Sequence, residues 1–566
     1  MHIMEFSVKK RDGPARIGEL KINVEKIKTP NILFINTQRF KAPEFANILL
    51  TNEKKTINKP TLKFSNKLLI QRIEGKSNTL FIVDNAIQLF RQPKKFIDFI
   101  INLREKIGYQ KLIYLPSVGN PFNLALLTHL GADLFDSTSA IIAARNNILL
   151  FETGSYQTMD LEEIPCNCPS CNKTKKKPIE MNFQEILNHN YYAINTEIKH
   201  VRNAIAQENL RNLVEKRIKA DPNLTAILRY LDRNYYEYLE KRTPIHSNNK
   251  IIATSVESLI RPEIKRFQER VINRYKKPES ARILLLLPCS AKKPYSFSKS
   301  HKLFREKIIT TKNPFIIHEV IITSPIGIVP RELELIYPAS SYDIPVTGIW
   351  DEQEKKMITN LLSKYLELNK YEKIISHVPI EINDFIKPIL KKPIITCKNN
   401  PTSKESLENL FDTLNTLVSK FEKIKPKERA REDIQAHATY QFGRKIAKEL
   451  LKDSFIKGRY PYQKIMKNNT QIGMITRERG LISLTLAGAE KLFDSKKFWV
   501  EIYDDFTLKG SVLAPGIKDA DSDIRIGEEV IVIKNKKLIA IGVAQMNGEE
   551  MKESNHGEAV KVRHRV

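Results

Sequence analysis

The chain has 566 residues, 41% of them hydrophobic and 8% aromatic, a globular composition long enough for about three to five domain cores. Its 93 lysines and arginines outnumber 65 acidic residues, for a net charge of +28 and a pI near 9.6. This charge is spread along the chain and points to a polyanionic partner, because neutralised phosphates release counterions. The sequence has no run of about 18 apolar residues and no apolar signal core after Met1, so a membrane or secreted protein is not expected and a cytoplasmic one is.

The first stretch, about residues 1–275, alternates short β-rich apolar runs with helical patterns. Asn31-Ile32-Leu33-Phe34-Ile35, Leu80-Phe81-Ile82-Val83 and Lys111-Leu112-Ile113-Tyr114-Leu115 read as strands. Lys94 to Ile107 and Asn123 to Leu130 read as helices, so a parallel sheet or barrel is expected. Three of the five cysteines then crowd into Cys166-Asn167-Cys168-Pro169-Ser170-Cys171. That is not a disulfide framework; it supplies three thiolates for a metal knuckle, most simply a structural Zn2+ site closed by a fourth ligand. His189, 18 residues after Cys171, is the first choice for that ligand, and His200 the second. A charged helical stretch from Thr196 to Arg270 follows, which Pro222, Pro244 and Pro262 should divide into separate helices.

A second unit, residues 276–422, opens with Ile283-Leu284-Leu285-Leu286-Leu287, the pattern of a strand buried on both faces. Further strands at Glu319–Ile322, Lys373–His377 and Ile394–Thr396, and a helix from Asp351 to Leu368, give a three-layer α/β domain. The first strand runs into Pro288-Cys289-Ser290-Ala291-Lys292-Lys293-Pro294-Tyr295-Ser296-Phe297-Ser298-Lys299-Ser300-His301. A loop leaving the carboxyl end of a parallel strand is where open α/β sheets bind ligands. This loop carries a thiol, an amine, a phenol, hydroxyls and an imidazole, groups that add to electrophiles and move protons. Cys289, Lys293, Tyr295, Ser298 and His301 are therefore the candidate catalytic set. The loops Thr323 to Glu334 and Tyr337 to Asp351, with His377, would complete a pocket. Ile424 to Arg429 reads as a linker, 428–492 as a small α+β domain, and 493–566 as a small β-barrel with glycine turns. Arg525, Lys561 and Arg563 there are placed to meet phosphate oxygens.

The order Gly510-Ser511-Val512-Leu513-Ala514-Pro515-Gly516, Gly527-Glu528-Glu529-Val530 and Gly557-Glu558-Ala559-Val560-Lys561-Val562-Arg563 resembles a PUA domain, an RNA-binding barrel. The cysteine knuckle with its following His189-Asn190, the segment Gly131-Ala132-Asp133-Leu134-Phe135-Asp136-Ser137, and Arg11-Asp12-Gly13-Pro14 resemble the tRNA-guanine transglycosylases. Their catalytic part is a TIM-type barrel, and the match implies that Asp136 stands where they carry a nucleophilic aspartate. The family's Asp-Ser-Gly-Gly-Phe-Gln stretch is missing: no Gly-Gly pair occurs in the first 275 residues. Half of a base-exchange pocket is thus lost, and Asp136 is either a relic holding its loop or a residue with a retained role.

The pattern Pro-Cys-x3-Lys-Pro-Tyr-x2-Ser-x2-His, on Pro288 to His301, is similar to that of the archaeosine synthase family, archaeal homologues of the transglycosylases. That resemblance implies addition of an amine, lysine being favoured over glutamine or ammonia, to the nitrile of 7-cyano-7-deazaguanine at position 15 in the D-arm of tRNA. A radical-SAM partner protein and a homodimer are further implications. Cys289 would form a thioimidate with the nitrile, or the donor amine would attack it directly. The alternatives are a transglycosylase that exchanges bases and a non-catalytic tRNA-binding scaffold.

Overall fold

The computed structural model describes residues 4–22, 24–51, 61–63, 80–174 and 176–566. They form two compact units. The first is Met1–Thr243 with Leu513–Pro515 and Glu549–Glu558; the second is Pro244–Val512 with Gly516–Gly548 and Ala559–Val566.

The first unit holds a six-stranded parallel sheet of Asn31–Ile35 (β1), Leu49–Thr51 (β2), Thr61–Lys63 (β3), Leu80–Ile82 (β4), Leu112–Leu115 (β5) and Leu134–Asp136 (β6). Its order is β3-β2-β1-β6-β5-β4. The first strand lies beside the last, and among the described residues β3 and β4 are not paired. A three-stranded antiparallel sheet, Met4–Asp12, Ala15–Ile22 and Glu25–Thr29, precedes it. Pro93 and Pro222 each open a helix at its first turn, where the missing N–H costs nothing, and Asp221 caps the second by accepting from Asn223 N at 2.7 Å.

In the second unit the strands Ile283–Pro288 (β7), Ile317–Thr323 (β8), Gly327–Pro330 (β9), Lys373–Ser376 (β10) and Ile394–Ile395 (β11) form one sheet, ordered β9-β8-β7-β10-β11. Only β9 is antiparallel to its neighbour. Alternation along β7 divides the core. Leu284 and Leu286 pack with the helices Pro262–Asn273 and Glu352–Leu368; Ile283, Leu285 and Leu287 pack with Lys299–Ile309 and Lys404–Val418. Helices thus cover both faces, which is why β7 is apolar at every position.

Two expected boundaries differ. Residues 244–275, read as the tail of the first domain, belong to the second unit, because Ile264, Phe267 and Val271 of helix Pro262–Asn273 bury their apolar stripe in its core. The expected linker 424–429 runs into the helix Pro426–Phe442, where Arg429 is buried and donates to the carbonyls of Phe315 (2.6 Å) and Ile317 (3.1 Å). Beyond it come an antiparallel sheet of Phe455–Arg459, Tyr462–Lys467, Thr470–Ile475 and Ile482–Leu484, the helix Leu486–Ser495, and a C-terminal sheet that includes Trp499–Ile502, Glu529–Lys534 and Lys537–Ala544. Ile465 and Ile482 share a core with Ile531 and Ile541, so these two parts are packed as one body. Among the described residues no helix is long and apolar enough to cross a membrane.

Candidate active site and metal centre

The carboxyl ends of β7, β8 and β10 open on a cavity of about 170 Å³. Pro288 and Cys289 line it after β7, Ser324 after β8, and Pro379 and Ile382 after β10. The strap Ile344 to Trp350 forms the outer wall, with Val346 and Ile349 exposed at the mouth. Three strand ends meet at one point because β7 is central and parallel to both neighbours.

Behind the thiol runs a buried chain of hydroxyls. Thr323 Oγ1 makes a close hydrogen bond to the Tyr342 hydroxyl and donates to the Ser324 carbonyl at 3.1 Å, and Tyr342 in turn bonds Tyr295 at 2.7 Å. Lys293 Nζ lies 3.9 Å from the centre of the Tyr342 ring, a cation–π contact. Burial pushes the Cys289 thiol up, with Thr323 and the Lys293 charge opposing the rise. Burial pushes the Lys293 amine down, with Cys289 opposing. Both groups are thereby moved toward their neutral forms. Tyr295 is fully buried and pushed above the usual phenol range by burial, so it keeps its proton.

Of the five residues singled out in the loop, Cys289 lines the cavity, and Lys293 and Tyr295 stand on the hydroxyl chain behind it. The other two serve the loop itself. Ser298 caps the helix Lys299–Ile309, accepting from His301 N at 3.2 Å. His301 is 1% exposed with both ring nitrogens engaged: Nδ1 with Arg331 at 2.7 Å and Nε2 with the Pro288 carbonyl at 3.0 Å. Arginine only donates, so Nδ1 accepts and Nε2–H donates. Burial and then the Arg331 charge push this imidazole down to about 3, and it is neutral near pH 7. It holds the Pro288 backbone beside Cys289. His377 is likewise engaged, with Thr396 at 2.9 Å and the Pro401 carbonyl at 2.9 Å.

Thr323, Ser324, Tyr342 and Trp350 lie in the two loops expected to complete the pocket, without having been distinguished from their neighbours there. The available signal was position: Thr323 and Ser324 are the first hydroxyls after the apolar run Val320-Ile321-Ile322 of a buried strand.

A larger cavity of about 500 Å³ lies elsewhere in the same unit, lined by Glu319, Arg331, Glu334, Arg429, Asp433 and Tyr460 among others. Arg331 pairs with Glu319 and Glu334, each at 3.0 Å. Glu334 also accepts from Ser296 N at 2.9 Å and from the Tyr460 hydroxyl. Arg429 pairs with Asp433 at 2.6 Å.

In the first unit, ligand atoms of Cys166, Cys168, Cys171 and His189 all lie within 4.8 Å of one another. His189 Nδ1 is 3.3 Å from Cys171 Sγ and 3.9 Å from Cys168 Sγ, and Nε2 bonds the Leu150 carbonyl at 3.0 Å. That outer bond fixes the ring with Nδ1 toward the thiols, the usual support of a metal-binding histidine. A Cys3His set of this spacing could hold a tetrahedral metal ion. His200 is half exposed and pairs with Glu197 instead. Asp136, at the end of β6, is buried and accepts from the Tyr114 hydroxyl (2.6 Å), Thr138 N (2.7 Å) and Ser117 N (3.1 Å). Its carboxylate is occupied in holding the strand end and the start of the helix Thr138–Arg145.

In the C-terminal sheet Lys561 is exposed. Arg525 donates to the Ser522 carbonyl at 3.2 Å and is partly exposed. Arg563, 25% exposed, is bound to Glu529 at 2.8 Å, a carboxylate that it shares with Arg479 at 2.7 Å.

Four family models match the chain: queuine tRNA-ribosyltransferase over residues 70–223, a domain family of unknown function (DUF5591) over 264–414, the patch-forming domain C2 of tRNA-guanine transglycosylase over 432–498, and the PUA domain over 502–566. The archaeosine synthase subunit alpha of Methanosarcina acetivorans is 37% identical over 87% of this chain and 81% of that protein. The archaeosine synthase of Haloferax volcanii is 34% identical over 99% of both. A tRNA-guanine(15) transglycosylase of Methanobrevibacter smithii is 28% identical over 83% of this chain and 69% of that protein.

Proposed function

The chain belongs to the archaeosine synthase family, and from that premise we propose that it adds an amine donor to the nitrile of 7-cyano-7-deazaguanine at position 15 of tRNA, forming an amidine. The observation that carries this reading is the cavity at the ends of β7, β8 and β10, with a thiol at its wall and a hydroxyl chain and amine behind it.

Nitrile addition needs a neutral nucleophile, a held geometry and a proton for the nitrogen. The Cys289 sulfur is such a nucleophile: S–H adds across C≡N to give a thioimidate, and the donor amine then displaces the thiol and leaves the amidine. Direct attack by the amine gives the same product. On either route Lys293, moved toward neutrality, is the proton carrier; the face of the Tyr342 ring holds its amine, and the Tyr342 and Thr323 hydroxyls stand behind the thiol. Ser298 and His301 are positioning residues that fix the loop.

The donor proposed is an amino acid, lysine before glutamine or ammonia. Lys561 and Arg525 are proposed to meet the phosphates of the tRNA D-arm; Arg563 orders the strand that presents Lys561. We assign Zn2+ to Cys166, Cys168, Cys171 and His189, where it would cross-link the loop to the helix Phe183–Ala206. The barrel reading of the first unit, a radical-SAM partner that processes the product, and a homodimer belong to the same proposal.

The test is to incubate the protein with nitrile-bearing tRNA and either lysine or glutamine, then digest the tRNA and weigh the nucleosides. A mass increase equal to one donor supports the proposal. Unchanged nitrile nucleoside with every donor sinks it, and incorporation of labelled free base would instead support base exchange.

A further inference from the structure

Ser324 is 3% exposed, lines the Cys289 cavity, and among the described residues its hydroxyl has no hydrogen-bond partner. A buried hydroxyl without a partner costs free energy, and replacing it with an apolar group of the same shape removes the cost. Its neighbour Thr323, one residue earlier, is engaged with the Tyr342 hydroxyl and the Ser324 carbonyl, so the strand end satisfies one hydroxyl and leaves the next open. Ser324 and the Cys289 thiol line the same cavity.

The shape of the cavity narrows what it receives. About 170 Å³ is small against the roughly 300–1,000 Å³ of ordinary ligand sites, so the space admits one flat ring system and not a nucleotide together with an amino acid. The walls are Ile344, Pro345, Ile382 and the indole of Trp350, surfaces on which an aromatic ring packs. Val346 and Ile349 are 72% and 80% exposed at the mouth, apolar side chains placed where a ring would leave water. An enzyme that works on a base within folded RNA must first take that base out of its stack.

We propose that this cavity receives a single heteroaromatic base extruded from the RNA, and that the Ser324 hydroxyl donates a hydrogen bond to the nitrogen of its nitrile while Cys289 stands beside the nitrile carbon. The inference rests on the amidine-forming reading for the identity of the reacting group; the pocket itself does not. As a nucleophile adds to the carbon, one C–N π bond breaks and its electron pair moves to the nitrogen. The nucleophile's proton ends on that nitrogen. Ser324 is unchanged by the step, and its hydrogen bond strengthens as charge develops there.

Two measurements test this. In the first, amidine formation is followed with nitrile-bearing tRNA and saturating amine. Ser324→Ala is expected to lower kcat by about 10- to 100-fold with the KM for tRNA unchanged, Ser324→Thr to restore much of it, and the thermal midpoint of Ser324→Ala to equal or exceed the parent's. In the second, free 7-cyano-7-deazaguanine is titrated into Trp499→Phe protein, which leaves Trp350 as the one tryptophan of the two in the chain. Saturable quenching, weakened by Ser324→Ala, is expected. Quenching with no amidine from any donor would remove the proposed reaction and leave the pocket standing. Amidine formation with a fully active Ser324→Ala and no quenching would overturn this inference alone.

Discussion

The two cavities of the second unit differ in a way that volume does not report. The larger, about 500 Å³, is walled by charges that are already mated: Arg331 with Glu319 and Glu334, Arg429 with Asp433, and Glu334 with Ser296 and Tyr460 as well. The smaller, about 170 Å³, is mostly apolar, yet it holds a thiol kept protonated by burial and a hydroxyl with no partner. Completed ion pairs hold elements together. The larger cavity also leaves one buried atom open, His437 Nε2, so what sets the smaller one apart is an open hydroxyl in the same cavity as a thiol.

The largest effect that would break this comparison is on chemistry. Cys289→Ala should lower amidine formation by at least about 100-fold, the scale of losing a nucleophile or its proton transfer, with tRNA binding unchanged in a filter assay. Full activity would remove the thioimidate route and leave direct attack by the amine. Next in size is a stability effect from the other cavity. Arg331→Met leaves Glu334, 0% exposed, without its cation, and Glu319, 7% exposed, with only the Arg305 guanidinium at 3.7 Å. Breaking a buried pair in this way costs about 3–5 kcal/mol, to be read from urea unfolding. Arg331 also holds His301 Nδ1 at 2.7 Å, so any loss of turnover in this variant is compared with that of His301→Gln before it is ascribed to the larger cavity.

Legibility followed the same divide. Strands that are apolar at every position, such as Ile283 to Leu287, announce burial on both faces, and the loop after them announces a site. Pro222 and Pro262 announce helix starts. The boundary near 275 was not legible, because the stripe Ile264, Phe267, Val271 marks an amphipathic helix without saying which core it joins. Within the site, Cys289, Lys293 and Tyr295 could be picked from one short stretch. Ser298 and His301 came with them because a cap and a buried strut use the same polar residue types as catalysis. Thr323, Ser324, Tyr342 and Trp350 could not be weighed, since their meeting with Cys289 depends on β7 pairing with β8 and β10. That Arg563 shares Glu529, 34 residues away, with Arg479 is a contact no sequence pattern reveals.

A smaller effect separates the strut from a proton carrier. His301 is held at about 3 by burial and Arg331, below the ordinary value of 6.5. The unfolded chain binds a proton between those values that the folded chain refuses, so the stability His301 contributes is complete above about pH 6.5 and is lost as pH falls toward 3. His437, pushed by burial to about 4, acts in the same direction. The thermal midpoint should therefore fall on acidification from pH 6.5, and His301→Gln should flatten that fall. The same variant should leave the pH dependence of kcat near neutrality in place, because the imidazole does not titrate there. A kcat profile that loses a limb near pH 6.5 in His301→Gln would make it a proton carrier instead.

The smallest effect is expected where the larger cavity is altered without touching its pairs. Gln463 lines that cavity and enters none of the ion pairs described. It is partly exposed on the strand Tyr462–Lys467, and truncation there removes neither core volume nor a buried charge's partner. Gln463→Ala should change unfolding free energy by no more than about 0.5 kcal/mol and leave amidine formation within about twofold of the parent. The informative contrast is with Ser324→Ala, which removes fewer atoms from a smaller space. If the volume of a cavity decided its use, the Gln463 change would weigh more on turnover. If unsatisfied polar groups decide it, the serine change does, and at no cost in stability.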